Sequence, residues 1–147
     1  FSPLISKGRS PILLPQNCYF LPFAVKIMEK YNSNNSKIQF LSVGKFVPRK
    51  NHILLVRAAK KLANKYNFSI TIVGEVSTKE HQNQLESIKC RIESLGLEDR
   101  IFLRYNMKYI DMENIYKSHD VFLLPARNEP AAISPLEAMG FGLVFER

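Results

Sequence analysis

The sequence has 147 residues, of which 46% are hydrophobic and 23% are charged, a balance typical of one globular domain and unlike a disordered or fibrous chain. No apolar run approaches the roughly 20 residues that cross a bilayer, and the two cysteines lack the paired spacing of a metal or disulfide framework. The net charge of +8 fits an anionic partner, namely a phosphate-bearing small molecule, a nucleic acid or an acidic membrane, or else a lysine-rich solvated surface.

Residues 1–37 contain four prolines and end in a polar stretch of turn-forming residues. We interpret them as a leading arm or interdomain segment, with a short strand at 12–14 and a short helix at 23–31. The sequence starts without methionine or a signal pattern and ends as an apolar stretch begins. We therefore expect a piece of a longer protein. Because the isolated cysteines fit a reducing cytosol, we expect that protein to be cytoplasmic, either free or at the cytosolic face of a membrane.

From residue 38 onward, strand and helix patterns alternate. Short apolar runs predict strands at 38–43, 69–73, 101–103 and 121–124, and the segments between and after them predict helices over 51–66, 77–95 and 111–117 and from residue 134. Parallel strands need helical crossovers, so the alternation predicts an α/β fold, a Rossmann-like parallel sheet with helices on both faces. Ligands of such sheets bind beyond the carboxyl ends of the strands, where we place the chemistry.

The helix patterns also predict buried faces and ends. The apolar face of the first helix comprises Leu55, Ala58, Ala59, Leu62 and Tyr66. The second helix opens with the capping-box pattern Ser77-Thr-Lys-Glu80 and ends at Gly96, and its apolar face comprises Leu85, Ile88, Ile92 and Leu95. The dispersed histidines are interpreted as surface or boundary residues, with no ligand or base role: His52, His81 and His119.

A basic loop follows the first predicted strand. It carries Lys45, Arg49 and Lys50 beside the start of a helix, where free N–H groups and the helix dipole attract phosphate. Taken alone, the loop fits an ordinary basic turn capped by Asn51 slightly better than an anion site.

An acidic segment follows the last predicted strand. Glu129 lies in the loop and Glu137 in the first helical turn, where carboxylates accept hydrogen bonds from sugar hydroxyls. The N–H groups of Ala132, Ile133 and Ser134 are placed to face a phosphate. For Glu137 alone, a capping box formed by Ser134-Pro-Leu-Glu137 is the simpler interpretation, and the two roles are compatible.

With both clusters in view, residues 38–147 resemble the C-terminal domain of the family 4 (group 1) glycosyltransferases of the GT-B fold. Phe40-Leu-Ser-Val-Gly-Lys-Phe-Val-Pro-Arg-Lys50 is similar to the family's strand followed by Gly-Arg-Leu-x-x-x-Lys. His119-Asp-Val-Phe-Leu-Leu-Pro125 is similar to Ala-Asp-Val-x-x-x-Pro-Ser, and the spacing of Glu129 and Glu137 to Glu-x7-Glu. The resemblance implies that residues 38–147 form a truncated nucleotide-sugar-binding domain.

The resemblance also implies a role for each candidate residue. Lys45, Lys50 and the amides of Ala132 and Ile133 bind the donor diphosphate, Glu137 binds the ribose, and Glu129 acts as the catalytic residue near the transferred sugar. Several positions depart from the family pattern: Lys45 replaces an arginine, Asn51 a glycine, Ala131-Ala132 a Phe-Gly pair, and Arg104-Tyr-Asn106 a glycine-containing turn near the nucleobase.

The implied activity is transfer of a hexosyl or related sugar from a UDP- or GDP-sugar with retention of configuration, without a tightly held metal or another cofactor. The acceptor site belongs to an N-terminal domain absent from this sequence, so we expect no activity from this piece alone. The alternative is a noncatalytic interaction domain derived from the same fold. Nucleic-acid binding is not expected, because the sequence contains neither a groove-reading helix nor an aromatic-basic motif. Basic side chains at 60, 61 and 65 fit a solvated helix face better than a patch for peripheral membrane contact.

Overall fold

The computed structural model describes residues 36–127, 129 and 133–146. In this part of the chain the strands are β1 (Ile38–Val43), β2 (Phe68–Gly74), β3 (Ile101–Tyr105), β4 (Val121–Leu123) and β5 (Val144–Glu146). The helices are α1 (Ile53–Leu62), α2 (Lys79–Ser94), α3 (Tyr109–Lys117) and α4 (Ile133–Gly140), and a short 3₁₀ turn covers Pro48–Lys50. The strand and helix predicted at 12–14 and 23–31, with nearly all of the leading arm, lie outside the described residues.

The strands form one sheet in the order β3-β2-β1-β4-β5, and each pairing is parallel. The register places Phe40 of β1 between Ile70 of β2 and Val121 of β4. Strands β2 and β3 extend the sheet on one side of β1, and strands β4 and β5 extend it on the other side. Such a reversal leaves a crevice at the carboxyl ends of the two central strands, where doubly wound sheets bind ligands.

The two faces of the sheet carry separate cores. Successive side chains of a strand point to opposite faces, so Ile72 packs with the helices of one face while Val73 packs with those of the other. The first core includes Val56 of α1 and Ile88 of α2, and the second includes Tyr116 of α3, with Ala138 of α4. Helices therefore cover both faces, and the predicted fold class is confirmed.

The start and buried face of α1 differ from the prediction. Asn51 has a left-handed backbone with φ 55°, so the helix begins at Ile53, two residues later than predicted. Asparagine tolerates this conformation better than other non-glycine residues, which accounts for Asn51 at a position where the family commonly has glycine. The side chains that α1 buries are Leu55, Val56 and Ala59, so the predictions for Ala58, Leu62 and Tyr66 were wrong.

The amino end of α2 is displaced by one residue from the predicted capping box. Thr78 is the N-cap, and its hydroxyl accepts a hydrogen bond of 3.2 Å from the backbone N–H of His81. The carboxyl end was predicted correctly, because Gly96 follows the helix with a left-handed φ of 63°.

The prediction that the histidines are surface or boundary residues was wrong, since all three are buried. His52 Nε2 lies 3.2 Å from the carbonyl oxygen of Gly44, and His81 Nδ1 accepts from the N–H of Ser77. His119 Nδ1 lies 2.6 Å from the Ile115 carbonyl, and its Nε2 lies 2.8 Å from the Thr71 hydroxyl. These polar partners offset part of the cost of burying the imidazoles, although among the described residues Nδ1 of His52 is buried without a hydrogen-bond partner.

Candidate functional site

The loop after β1 is anchored by a buried aromatic ring. Phe46 is fully buried and packs between Gly74 and the ring of His52, whose centroid lies 5.6 Å away. A Cβ atom on Gly74 would lie 2.6 Å from both the Gly44 carbonyl oxygen and the edge of the Phe46 ring. Position 74 must therefore be glycine for the loop to lie this close to the end of β2.

His52 fixes the first peptide of the same loop. The carbonyl oxygen of Gly44 can only accept a hydrogen bond. The Nε2 atom of His52 therefore carries the ring proton and donates to this oxygen. Burial lowers the pKa of His52 to about 4, against opposing hydrogen bonds to the backbone of Gly44 and Lys45. The imidazole is therefore neutral near pH 7.

Lys50 extends along Gly44 and reaches the acidic loop. Its side-chain carbons pass 3.1 Å from where a Cβ of Gly44 would lie, and its ammonium bonds Glu129 Oε2 at 2.6 Å. Arg49 Nη1 bonds the same oxygen at 2.6 Å. The hydrogen bond from Lys50, with that from Arg49, holds the pKa of Glu129 below its ordinary value despite partial desolvation.

Backbone contacts tie the two loops together as well. The N–H of Arg127 donates to the Arg49 carbonyl at 3.0 Å, and the Asn51 side-chain amide donates to the Pro125 carbonyl at 3.2 Å. The basic loop and the acidic loop, distant in sequence, thus form one unit at the carboxyl edge of β1 and β4.

A cavity of about 610 Å³ opens beside this unit. Its wall includes the ends of β1 and β2, the loop after β3, the helix α3 and the beginning of α4. Among the described residues of the wall, Lys45 is the one cation, and the carboxylates belong to Glu75, Glu113 and Glu137. The cavity wall therefore combines one ammonium group near the basic loop with three carboxylates, one of which, that of Glu75, lies beside the ammonium.

Lys45 pairs with a carboxylate in the same wall. Its ammonium lies 3.2 Å from Glu75 Oε2, and both side chains are about half exposed, at 58% and 47%. Hydrogen bonds from Ser77 and then Lys45 lower the pKa of Glu75. Because solvent screens an exposed pair, a ligand anion can replace Glu75 at little cost.

Glu137 is held by a tyrosine. The Tyr116 hydroxyl donates to Glu137 Oε2 at 2.9 Å. Burial, reinforced by Glu137, raises the pKa of Tyr116, so the hydroxyl stays a donor. The predicted capping box is not formed, because α4 begins at Ile133 and Ser134, its second residue, lies 3.4 Å from the Val43 carbonyl.

Asn106 fixes the turn that carries Glu75. Its side chain accepts from the N–H of Val76 at 2.8 Å and donates to the carbonyl of Val76 at 2.9 Å, while its own backbone is left-handed with φ 52°. The amide group therefore extends the pairing of β2 and β3 beyond the strands. In the sequence, an asparagine directly after a strand indicates such a turn. The sequence does not show which residue the asparagine side chain bonds.

The predicted site residues gather at one edge of the sheet. Lys45, Ile133 and Glu137 lie in the cavity wall. Lys50 and Glu129 lie beside it, joined to the wall through contact of Lys50 with Gly44, and Ala132 is outside the described residues. Lys50 and Glu137 are thus on the same side of the molecule, as the sequence predicts.

The described residues contain neither a metal-binding cluster nor a helix that could span a membrane. No cluster of three or more histidine, cysteine, aspartate or glutamate side chains there has the arrangement of a metal site. In the same ranges, none of the helices combines the length and the apolar character that a membrane crossing requires.

A parallel sheet with helices on both faces and a cavity at its carboxyl edge defines the doubly wound, Rossmann-like class of α/β domain. A sequence model of the family of glycosyl transferases group 1 matches residues 24–145. The chain therefore belongs to the group 1 glycosyl transferase family, which confirms the resemblance.

Individual relatives agree with this assignment. Mannosylfructose-phosphate synthase of Agrobacterium fabrum is 30% identical over 105 residues, which cover 69% of this chain and 23% of that protein. A glycosyltransferase of Rickettsia africae has a TM-score of 0.67 at 23% identity, over 78% of this chain and 28% of that one. HepE of Anabaena, solved with UDP and glucose, has a TM-score of 0.66 at 18% identity, over 75% and 29%. The chain spans about a quarter of the length of these proteins.

Proposed function

We propose that this chain is the donor-binding part of a retaining glycosyltransferase, which transfers a hexosyl or related sugar from a UDP- or GDP-sugar to an acceptor. Membership of the group 1 family supports the class of reaction. The structure of Anabaena HepE with UDP and glucose supports a nucleoside diphosphate as the ligand, since that protein has the same fold.

The observation that carries the proposal is the cavity at the carboxyl edge of the sheet. Its volume of about 610 Å³ suits a ligand of nucleotide size, since pockets for such ligands range from roughly 300 to 1,000 Å³. Its wall brings together a lysine, the start of a helix and a carboxylate through Lys45, Ile133 and Glu137. These groups match the phosphates and the hydroxyls of one donor molecule.

The part of the site that carries Lys45 and Lys50 is assigned to the diphosphate. When the sugar leaves, negative charge grows on the nucleoside diphosphate, and prepositioned cations and amides stabilise that charge. Lys45 and Lys50 supply the cations, and the N–H groups of Ala132 and Ile133 supply the amides at the start of α4. In this assignment Lys45 exchanges Glu75 for phosphate, and Lys50 turns in part from Glu129 to phosphate.

The carboxylates are assigned to the sugars of the donor. Glu137, in the cavity wall, accepts from the ribose hydroxyls, and Glu129 accepts from the transferred sugar as the catalytic residue. Support for the second role is the position of Glu129, whose Oε2 lies 2.6 Å from both Arg49 and Lys50. A carboxylate so close to the diphosphate-binding cations is adjacent to the sugar that the diphosphate carries.

Calorimetry with UDP, GDP and ADP, and with their sugars, tests the donor assignment. We expect at least one salt-sensitive complex, which Lys45→Ala and Lys50→Ala each weaken by about tenfold because each removes a charged hydrogen bond to phosphate. Lys61→Ala is the matched control, since this exposed lysine lies on α1, away from the cavity. Its effect on affinity should be less than about twofold.

Two results would contradict the proposal. A folded protein that binds none of the nucleotides would favour the noncatalytic interaction domain. Equal losses from Lys50→Ala and Lys61→Ala would indicate general attraction of anions by the net charge of +8.

The transfer step is proposed for the whole protein. The 105 aligned residues cover only 23% of the Agrobacterium synthase, which supports an acceptor site on further residues, in an N-terminal domain. We accordingly propose that these residues bind the donor without transferring sugar by themselves.

A further inference from the structure

Tyr116 contacts Glu137 of α4 and Phe141, the residue that directly follows the helix. Its ring stacks on the ring of Phe141, with centroids 5.2 Å apart and planes 9° from parallel. Its hydroxyl donates to Glu137 at 2.9 Å. Because Phe141 follows Glu137 by four residues, these two contacts fix one side of α4 against α3 directly behind the carboxylate.

The packing of the Tyr116 ring does not require its hydroxyl. A phenylalanine would make the same stack on Phe141 without burying a polar group, which costs free energy unless the group is hydrogen-bonded. Tyr116 is only 3% exposed, and its hydroxyl bonds Glu137. Tyr116, Phe141 and Glu137 all lie in the cavity wall, so this bond lies at the surface that a ligand contacts.

We propose that Tyr116 is a positioning residue, which holds Glu137 Oε2 and thereby presents Oε1 to the ribose hydroxyls of the donor. The inference rests on the proposed function, because it deepens the ribose assignment of Glu137. A carboxylate has two oxygens, and a fixed donor on one of them restricts rotation of the whole group. The carboxylate then accepts from a ligand without first losing rotamer freedom.

The test compares two ligands that differ only at the ribose. Calorimetry on the protein measures the affinity for UDP or GDP, whichever the wild type binds more tightly, and for the 2′,3′-dideoxy form of that nucleotide. Tyr116→Phe should weaken binding of the normal nucleotide by about 5- to 20-fold, since it removes a hydrogen bond to a charged group. Binding of the dideoxy nucleotide should be the same in the variant and the wild type.

Matched variants separate positioning from structure. Tyr66→Phe, at a tyrosine that is 63% exposed and outside the cavity wall, should leave both affinities unchanged. Tyr116→Phe combined with Glu137→Gln should weaken the normal nucleotide by less than the product of the two single effects, because both changes disturb one interaction. Unaltered binding of the dideoxy nucleotide also shows that the Tyr116→Phe variant is folded.

Each remaining outcome overturns the inference. Equal weakening of both ligands by Tyr116→Phe would show that the hydroxyl only maintains the shape of the cavity. No weakening of either ligand would show that Glu137 needs no support. If the wild type binds none of the nucleotides, the proposed function fails as well. If the wild type binds a nucleotide and Tyr116→Phe leaves that affinity unaltered, only the positioning role of Tyr116 fails.

Discussion

Two loops supply the charged groups at the carboxyl edge, and different forces hold them. The loop after β1 is anchored by packing, because Phe46 is fully buried against Gly74 and the ring of His52. In the loop after β4, the described contacts to the first loop are polar: the bonds of Glu129 to its cations and of the Arg127 N–H to the Arg49 carbonyl. Leu124 and Ala126 anchor the beginning of the second loop in the core, so the segment of Glu129 is the part that takes its position from the first loop, and damage to the first loop should reach that segment.

Phe46→Ala should have the largest effect. Truncating a fully buried phenylalanine costs about 3–5 kcal/mol of unfolding free energy, and here it also frees the loop that carries Lys45 and Lys50. Urea denaturation measures the stability, and nucleotide titration measures the loss of affinity. Leu54→Ala, at a position that is 47% exposed, is the control and should cost less than about 1 kcal/mol. A similar cost for both variants would refute anchoring by Phe46.

The second prediction concerns the neutral His52 under the same loop. Its folded pKa of about 4 lies below the ordinary 6.5, so the unfolded chain binds more protons between these values. The stabilisation is full above pH 6.5 and is lost as the pH falls toward 4, by about 3 kcal/mol in all. Unfolding curves between pH 7.5 and 4.5 should show this loss.

His52→Gln is the matched variant for that pH profile. Glutamine keeps an N–H for the Gly44 carbonyl but does not titrate. The slope of stability against pH should become shallower in the variant, although burial also lowers the pKa of His119 and leaves part of the slope. Identical slopes in the two proteins would show that His52 titrates normally in the fold.

The smallest effect is expected from the second loop. The lowered pKa of Glu129 gives a stabilisation that is present above the ordinary carboxyl pKa of 4.5 and is lost as the pH falls through the lower folded value. Glu129→Gln should lower the free energy of unfolding at pH 7 by roughly 1–3 kcal/mol, because the side chains of Glu129 and Lys50 are only 8% and 13% exposed and the amide leaves the Lys50 ammonium without its charged partner. Lys50→Met should flatten the same acid limb of the curve. Parallel curves for wild type and Glu129→Gln below pH 4.5 would contradict this assignment.

The sequence predicts the sheet well because a short run of apolar residues indicates a buried strand. The bounds of β1 are as predicted, and β2, β3 and β4 differ by at most two residues at either end. The edge that carries the site follows from the same pattern, since the charged segments come directly after strands. This part of the fold depends on local sequence and on the geometry of parallel crossovers.

Residues that depend on a distant partner were missed or misassigned. Tyr116 reads as an ordinary helix residue until Glu137, 21 positions later, is brought against it. His119 reads as a surface residue because its partner Thr71 is 48 positions away. Arg49 and Glu129 are 80 positions apart in the sequence. The sequence therefore shows both charged side chains but does not show that they form an ion pair. Only the packed fold supplies these partners.

Gly74 has a consequence for how this protein tolerates change. The space that a side chain at position 74 would fill is already occupied by the Phe46 ring and the Gly44 carbonyl oxygen. Positions 46 and 74 therefore share one volume, and a larger residue at 74 requires both a smaller one at 46 and a displaced peptide at 44. Substitutions at positions 44, 46 and 74 are therefore tolerated only in combination, so variation at the end of β2 is coupled to the shape of the basic loop that follows the neighbouring strand β1.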